Sequence, residues 1–207
     1  MSIKGRPWAD VRNDLYGSPY MVWHDGPAFS GLRDAWRTEP EALLEQLIVG
    51  MGEGDALAAE SFAELEPAPT GDTLTRVVDM LEQHLPTSPP GAQVQIALTL
   101  LRLTADQSWA RHIGDVLDAP LHWSTRIDAA IALRRVDPSP DLTAVLVRGV
   151  QADDYLVRYH SAGTLRRWAG LGDIEEDDAL FTELVKDADP AAWATVATAL
   201  QGLHRSL

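Results

Sequence analysis

The sequence predicts an all-α protein made of stacked helical hairpins. Three observations carry that expectation: a nine-residue window that recurs, helical periodicity ahead of every copy, and proline and aspartate at the joints. The window is plainest in "VRYHSAGTL" (157–165) and "TRIDAAIAL" (125–133). Further copies are "AWATVATAL" ending at Leu200, a looser "AQVQIALTL" ending at Leu100, and the weakest, "LAAESFAEL", ending at Leu65. The terminal leucines lie 35, 33, 32 and 35 residues apart. A fixed period in this range marks units that bury their apolar faces against neighbouring copies.

In chain order, the first 37 residues are the least repetitive and are rich in rings: Trp8, Tyr16, Tyr20, Trp23, Phe29 and Trp36. Trp8, Val11 and Leu15 share a helical face that Gly17 can end, and Phe29, Leu32 and Trp36 share another. Two short helices are expected, joined by a loop carrying Tyr20, Trp23 and His24. Residues 1–37 read as a cap over the open apolar face of a terminal repeat. Residues 38–207 read as the repeat domain, with the whole chain one folded unit.

Each hairpin then opens with a helical pattern: Leu43, Leu44, Leu47 and Ile48; Leu74, Val77, Val78 and Leu81; Trp109, Ile113, Val116 and Leu117; Leu142, Val145, Leu146 and Val150; Leu180, Phe181, Leu184 and Val185. Each closes with the window, whose first, fifth, sixth and ninth positions are apolar or small and fall on one helical face. The small central residues allow a neighbouring helix to approach closely. Asp189 followed by Pro190, and Asp154 ahead of the fourth window, supply N-caps. "PTSPPG" (86–91) and "VDPSPD" (136–141) interrupt helices, because proline lacks an amide hydrogen and restricts the residue before it.

"LTAVLVRGVQADDYLVRYHSAGTLRRWAG" and "FTELVKDADPAAWATVATALQGL" resemble HEAT repeats, close to the bacterial phycobilisome-lyase type. The resemblance covers roughly 39–206 and implies an all-α, right-handed α-solenoid of about five HEAT-like hairpins with an aromatic-rich N-terminal cap. It places Arg126 and Arg158 at the motif arginine, with Asp118, Asp154 and Asp187 in the links, while Gln93 and Trp193 depart from the motif. Two roles are open to the arginines. One is a ladder to the link aspartates that joins repeats, and it takes precedence; the other is a pair of groove cations aimed at a carboxylate or phosphate.

The net charge is −14, and it is unevenly spread. Thr38 to Thr75 contains nine acids and no Lys or Arg, and Gly172 to Asp189 contains eight acids against Lys186. Between Arg102 and Arg167 nine arginines face eight acids. Such a balance disfavours nucleic acid, whose backbone needs clustered cations, and favours a basic protein partner. For "DIEEDD" (173–178) an acidic helix start is the simpler reading. For the first hairpin, solvation and recognition stand level. No apolar run reaches the length of a membrane span, the N-terminus lacks a secretory pattern, and the absence of cysteine is compatible with the cytoplasm.

Enzymes of related fold make demands that these residues do not meet. Deoxyhypusine hydroxylases resemble the fold but bind iron through His-Glu dipeptides, and none occurs in this sequence. Alkylpurine DNA glycosylases work in a basic groove, and phycobilisome lyases handle bilins; no residue set singles out either ligand. The glycines of "GMGEGD" (50–55) lack the preceding strand of a dinucleotide site. The expectation is therefore a non-enzymatic binding protein without cofactor or metal, engaging a basic partner as an immunity protein against a toxin or as a scaffold. The alternative is a HEAT-like enzyme acting on a nucleobase or a tetrapyrrole. Candidate contact residues are Tyr20, Trp23 and His24, the acids Glu45, Glu53, Asp55 and Glu60, and Arg126, Arg158 and Trp193.

Overall fold

A computed structural model describes residues 2–175, 178–186 and 188–204. Among them are thirteen α-helices and no strand. The chain folds as two compact units, residues 1–106 and 107–207, so the boundary expected near residue 38 falls inside the first.

The first unit opens with α1 (Trp8–Tyr16), α2 (Pro19–Asp25) and α3 (Ser30–Thr38). Two hairpins follow, α4 (Pro40–Gly52) with α5 (Ala56–Ser61) and α6 (Gly71–His84) with α7 (Pro90–Thr104). Each hairpin packs on itself, α4 meets α6, and α5 meets α7. First helices therefore stack on first helices and second on second. The face predicted for α1 is the one it buries: Trp8, Val11 and Leu15 are inside, and α1 packs on α3 and α4. Gly50 makes this possible, because a Cβ there would stand 2.5 Å from the Trp8 ring.

The second unit contains α8 (Ala110–Asp118) with α9 (Trp123–Ala132), α10 (Pro140–Gly149) with α11 (Tyr155–Trp168), and α12 (Ala179–Leu184) with α13 (Pro190–Gly202). Here α8 packs on α10 and α9 on α11, while α13 rests on both α10 and α11. The repeated window is a burial code. Its fifth, sixth and ninth residues are buried in all five copies, as with Ser61, Phe62 and Leu65 or Ser161, Ala162 and Leu165. The eighth position adds a polar stitch where it is threonine: Thr99 Oγ1 donates to Ala59 O at 2.9 Å, and Thr164 Oγ1 to Ala130 O at 2.7 Å. Each satisfies a buried hydroxyl across neighbouring second helices.

The helix starts follow local chemistry. Asp154 Oδ1 accepts from Leu156 N and Val157 N, and Asp189 Oδ1 accepts from Ala192 N ahead of Pro190. Ser139 caps α10. The weakest window is the least helical, since α5 stops at Ser61 and the chain turns toward Leu65; Pro67 and Pro69 then bar a longer helix.

Candidate partner-binding surface

The segment expected to be a loop is helical. Ser18 Oγ accepts from Met21 N, Pro19 occupies the first turn, and the chain enters and leaves α2 through Gly17 (φ 93°) and Gly26 (φ 83°), backbone angles that glycine adopts without strain. α2 buries no residue and has no extensive packing partner among the described helices. Instead it presents Tyr20 at 64 %, Met21 at 48 % and Trp23 at 79 % exposure. The Tyr20 and His24 rings stack with centroids 5.8 Å apart, Trp23 lies 6.3 Å from Tyr20 and 6.4 Å from His24, and His24 Nδ1 is 2.6 Å from Asp25 Oδ1. A helix this short and this exposed gains nothing for the core by carrying such rings. Clustered exposed aromatics are the usual anchors of protein interfaces.

The acidic candidates separate. Glu45 and Glu53 are exposed, and Glu39, Glu41 and Glu45 line a shallow depression with Lys4. Asp55 is structural: Oδ2 accepts from Trp8 Nε1 (3.1 Å) and Arg12 Nε (2.6 Å), while Oδ1 accepts from Leu57 N (3.0 Å) and so caps α5. Glu60 is half-buried. Much of the remaining acidity is neutralised by arginines from outside the hairpin: Arg76 with Glu41 (2.7 Å), Arg33 with Glu66 (3.2 Å) and Arg102 with Glu64 (2.7 Å). Even so, residues 1–106 hold seven Lys or Arg against sixteen Asp or Glu, net −9, whereas residues 107–207 hold ten against fifteen, net −5.

Among the described residues, the motif arginines meet backbone carbonyls rather than link aspartates. Arg126 Nε donates to Leu117 O at 2.9 Å. Arg158, 1 % exposed, donates to Leu184 O (2.7 Å), Ala152 O (2.8 Å), Asp153 O (2.7 Å) and Lys186 O (3.3 Å). Its guanidinium lies 3.9 Å above the ring of Trp193, which is 5 % exposed and donates Nε1–H to Lys186 O. Carbonyls in the last turns of α8 and α12 and in the adjoining links take these donors, while the oxygens of Asp154 and Asp118 are committed elsewhere. Asp154 caps α11, and Asp118 accepts a bidentate pair from Arg148 at 2.8 and 2.9 Å. Arg158 and Trp193 are therefore interior staples and are withdrawn as contact residues. Asp187 of the ladder, and Glu176 and Asp177 of "DIEEDD", lie outside the described residues; Asp178 of that run caps α12 and pairs with Arg166 at 2.6 Å.

Perturbed ionisation follows burial and pairing rather than a catalytic cluster. Burial holds the Tyr16 phenol well above its ordinary value; Ser61 spends its proton on Leu57 O, so the 2.6 Å contact makes Tyr16 the donor. Burial, then the Arg134 charge, lowers His160, and the Arg148 hydrogen bond lowers Asp118. In the second unit a cleft of about 450 Å³ is lined from α8 by Arg111, Gly114 and Asp115 and from α10 by Asp141, Leu142 and Val145. It contains none of the candidate residues read from the sequence. Among the described residues no cluster of His, Asp or Glu forms a metal site, and no helix is long and apolar enough to cross a membrane.

Comparison with known proteins finds no matching family model, no matching curated protein and no matching solved structure.

Proposed function

We propose that this chain is a HEAT-like α-solenoid protein whose activity is to bind a basic protein through α2, as an immunity protein against a toxin or as a scaffold. The observation that carries the reading is α2 itself, a capped seven-residue helix with no buried residue and three exposed large side chains, Tyr20, Met21 and Trp23. The solenoid assignment draws support from the recurring window and from like-on-like stacking of α4 on α6, α5 on α7, α8 on α10 and α9 on α11, a pattern that the last hairpin does not continue, since α12 packs on α11 and α13 on both α10 and α11. The basic partner draws support from charge. Exposed Glu45 and Glu53 and the surplus of −9 in residues 1–106 attract a cationic protein over a Debye length of about 8–10 Å, which raises the encounter rate.

The test is affinity capture from native cells with the wild-type chain beside Trp23→Ala. A basic protein held stoichiometrically by the wild type and released by Trp23→Ala, with the circular dichroism of the variant unchanged, supports the reading. Equal retention by both removes α2 from the interface. Co-purification of a small molecule in place of a protein replaces the binder by an enzyme.

A further inference from the structure

The α2 rings also indicate which chemical group of the partner they receive. Resting on the reading of α2 as a protein-contact surface, we infer that Tyr20, Trp23 and His24 form a receptor for a cationic side chain, arginine foremost, rather than an apolar anchor site.

Three features point to a cation. Aromatic faces carry negative quadrupole potential, and Tyr20 and Trp23 have most of their surface open to approach. Asp25 places a carboxylate beside the cluster; with His24 Nδ1–H donated to Asp25 Oδ1 at 2.6 Å, His24 Nε2 is left as an acceptor for a guanidinium N–H. The surrounding field is one-sided. From Asn13 to Leu32 the sequence has Asp14 and Asp25 and no Lys or Arg, and the flanking Arg12 and Arg33 are held by Asp55 and by Glu66. No cation of this segment competes for the rings. The chain uses the same chemistry internally, where the Arg158 guanidinium sits 3.9 Å over Trp193. Arginine suits the site better than lysine, because a planar, weakly hydrated guanidinium stacks on a ring while its edge hydrogen-bonds a carboxylate.

The experiment titrates the full chain with a tetra-arginine amide and with its tetra-citrulline counterpart, whose side chains keep the planar shape but carry a neutral urea, with one guanidinium nitrogen replaced by a carbonyl oxygen. The Trp23 indole N–H is followed by NMR at about 0.15 M salt, where the Debye length is about 8 Å. The arginine peptide is expected to shift Trp23 saturably, and the citrulline peptide to leave it still. In isothermal titration calorimetry, which needs no indole probe, Trp23→Phe should bind within about twofold of wild type, whereas Trp23→Leu, which retains apolar bulk without a ring, should bind about two- to fivefold more weakly, the range of an exposed cation–π contact. Equal shifts from the two peptides, or full affinity in Trp23→Leu, overturn the cation receptor while leaving α2 as an apolar contact surface. Binding of the arginine peptide that leaves Trp23 unmoved overturns it as well, with the acids of α4 as the site. Loss of the α2 reading itself is registered separately, by capture that is indifferent to Trp23→Ala.

Discussion

Arg158→Ala is the sharpest test of how the second unit is held together. The guanidinium donates to four backbone carbonyls at 2.7, 2.8, 2.7 and 3.3 Å and covers the Trp193 ring, all with 1 % of the residue exposed. Breaking a buried, hydrogen-bonded charge by truncation costs about 3–5 kcal/mol, because the abandoned acceptors lose partners that water replaces poorly. Arg126 stands at the same motif position but is half-exposed and makes one such bond, Nε to Leu117 O at 2.9 Å. Its truncation should cost about 1 kcal/mol, the net worth of an ordinary hydrogen bond. Urea unfolding followed by circular dichroism at the helical band reads both variants; with slopes of about 2–3 kcal/mol/M, Arg158→Ala should lower the midpoint by about 1–2.5 M. An Arg158→Ala midpoint no lower than that of Arg126→Ala would refute the carbonyl staple.

Gly50→Ala drives a methyl into Trp8, at 2.5 Å from its ring, and should cost about 1–3 kcal/mol in the same assay, the usual range for overpacking. Asp55→Asn should destabilise by about 1–3 kcal/mol through the weakened cap of α5 and the lost Arg12 pair. The double variant Glu45→Gln, Glu53→Gln should fold normally and instead slow partner association, an effect that stopped-flow kinetics should find erased by added salt. Tyr16 has a folded-state pKa above its unfolded value of 10.0, so its contribution is complete below that pH and is lost as pH rises beyond it; a Tyr16→Phe chain should lose less stability on alkaline titration. His160 is shifted the opposite way for a base, below its unfolded 6.5, so stability is present above that pH and declines as pH falls through it; His160→Gln should flatten the acid side of the stability profile.

The sequence by itself determined what short-range physics controls. Helix faces repeat within four residues and caps act within three, so the burial of Leu165, the Asp154 and Asp189 caps and the order of the hairpins were all legible from composition and spacing. The α2 rings were legible only as contact candidates inside a segment that reads first as a cap, and Ser18, Pro19 and the flanking glycines make a helix of what reads as a loop. Partner choice among charged groups was decided by the tertiary structure alone. Arg158 and Leu184 are 26 residues apart, Arg12 and Asp55 are 43, and Arg76 and Glu41 are 35. Which oxygen an arginine meets depends on the packing of helices that no local pattern encodes. The same packing turned Asp55 from a surface acid into a junction and Trp193 from a contact residue into the floor beneath Arg158. It left the α2 aromatics and the α4 carboxylates facing solvent.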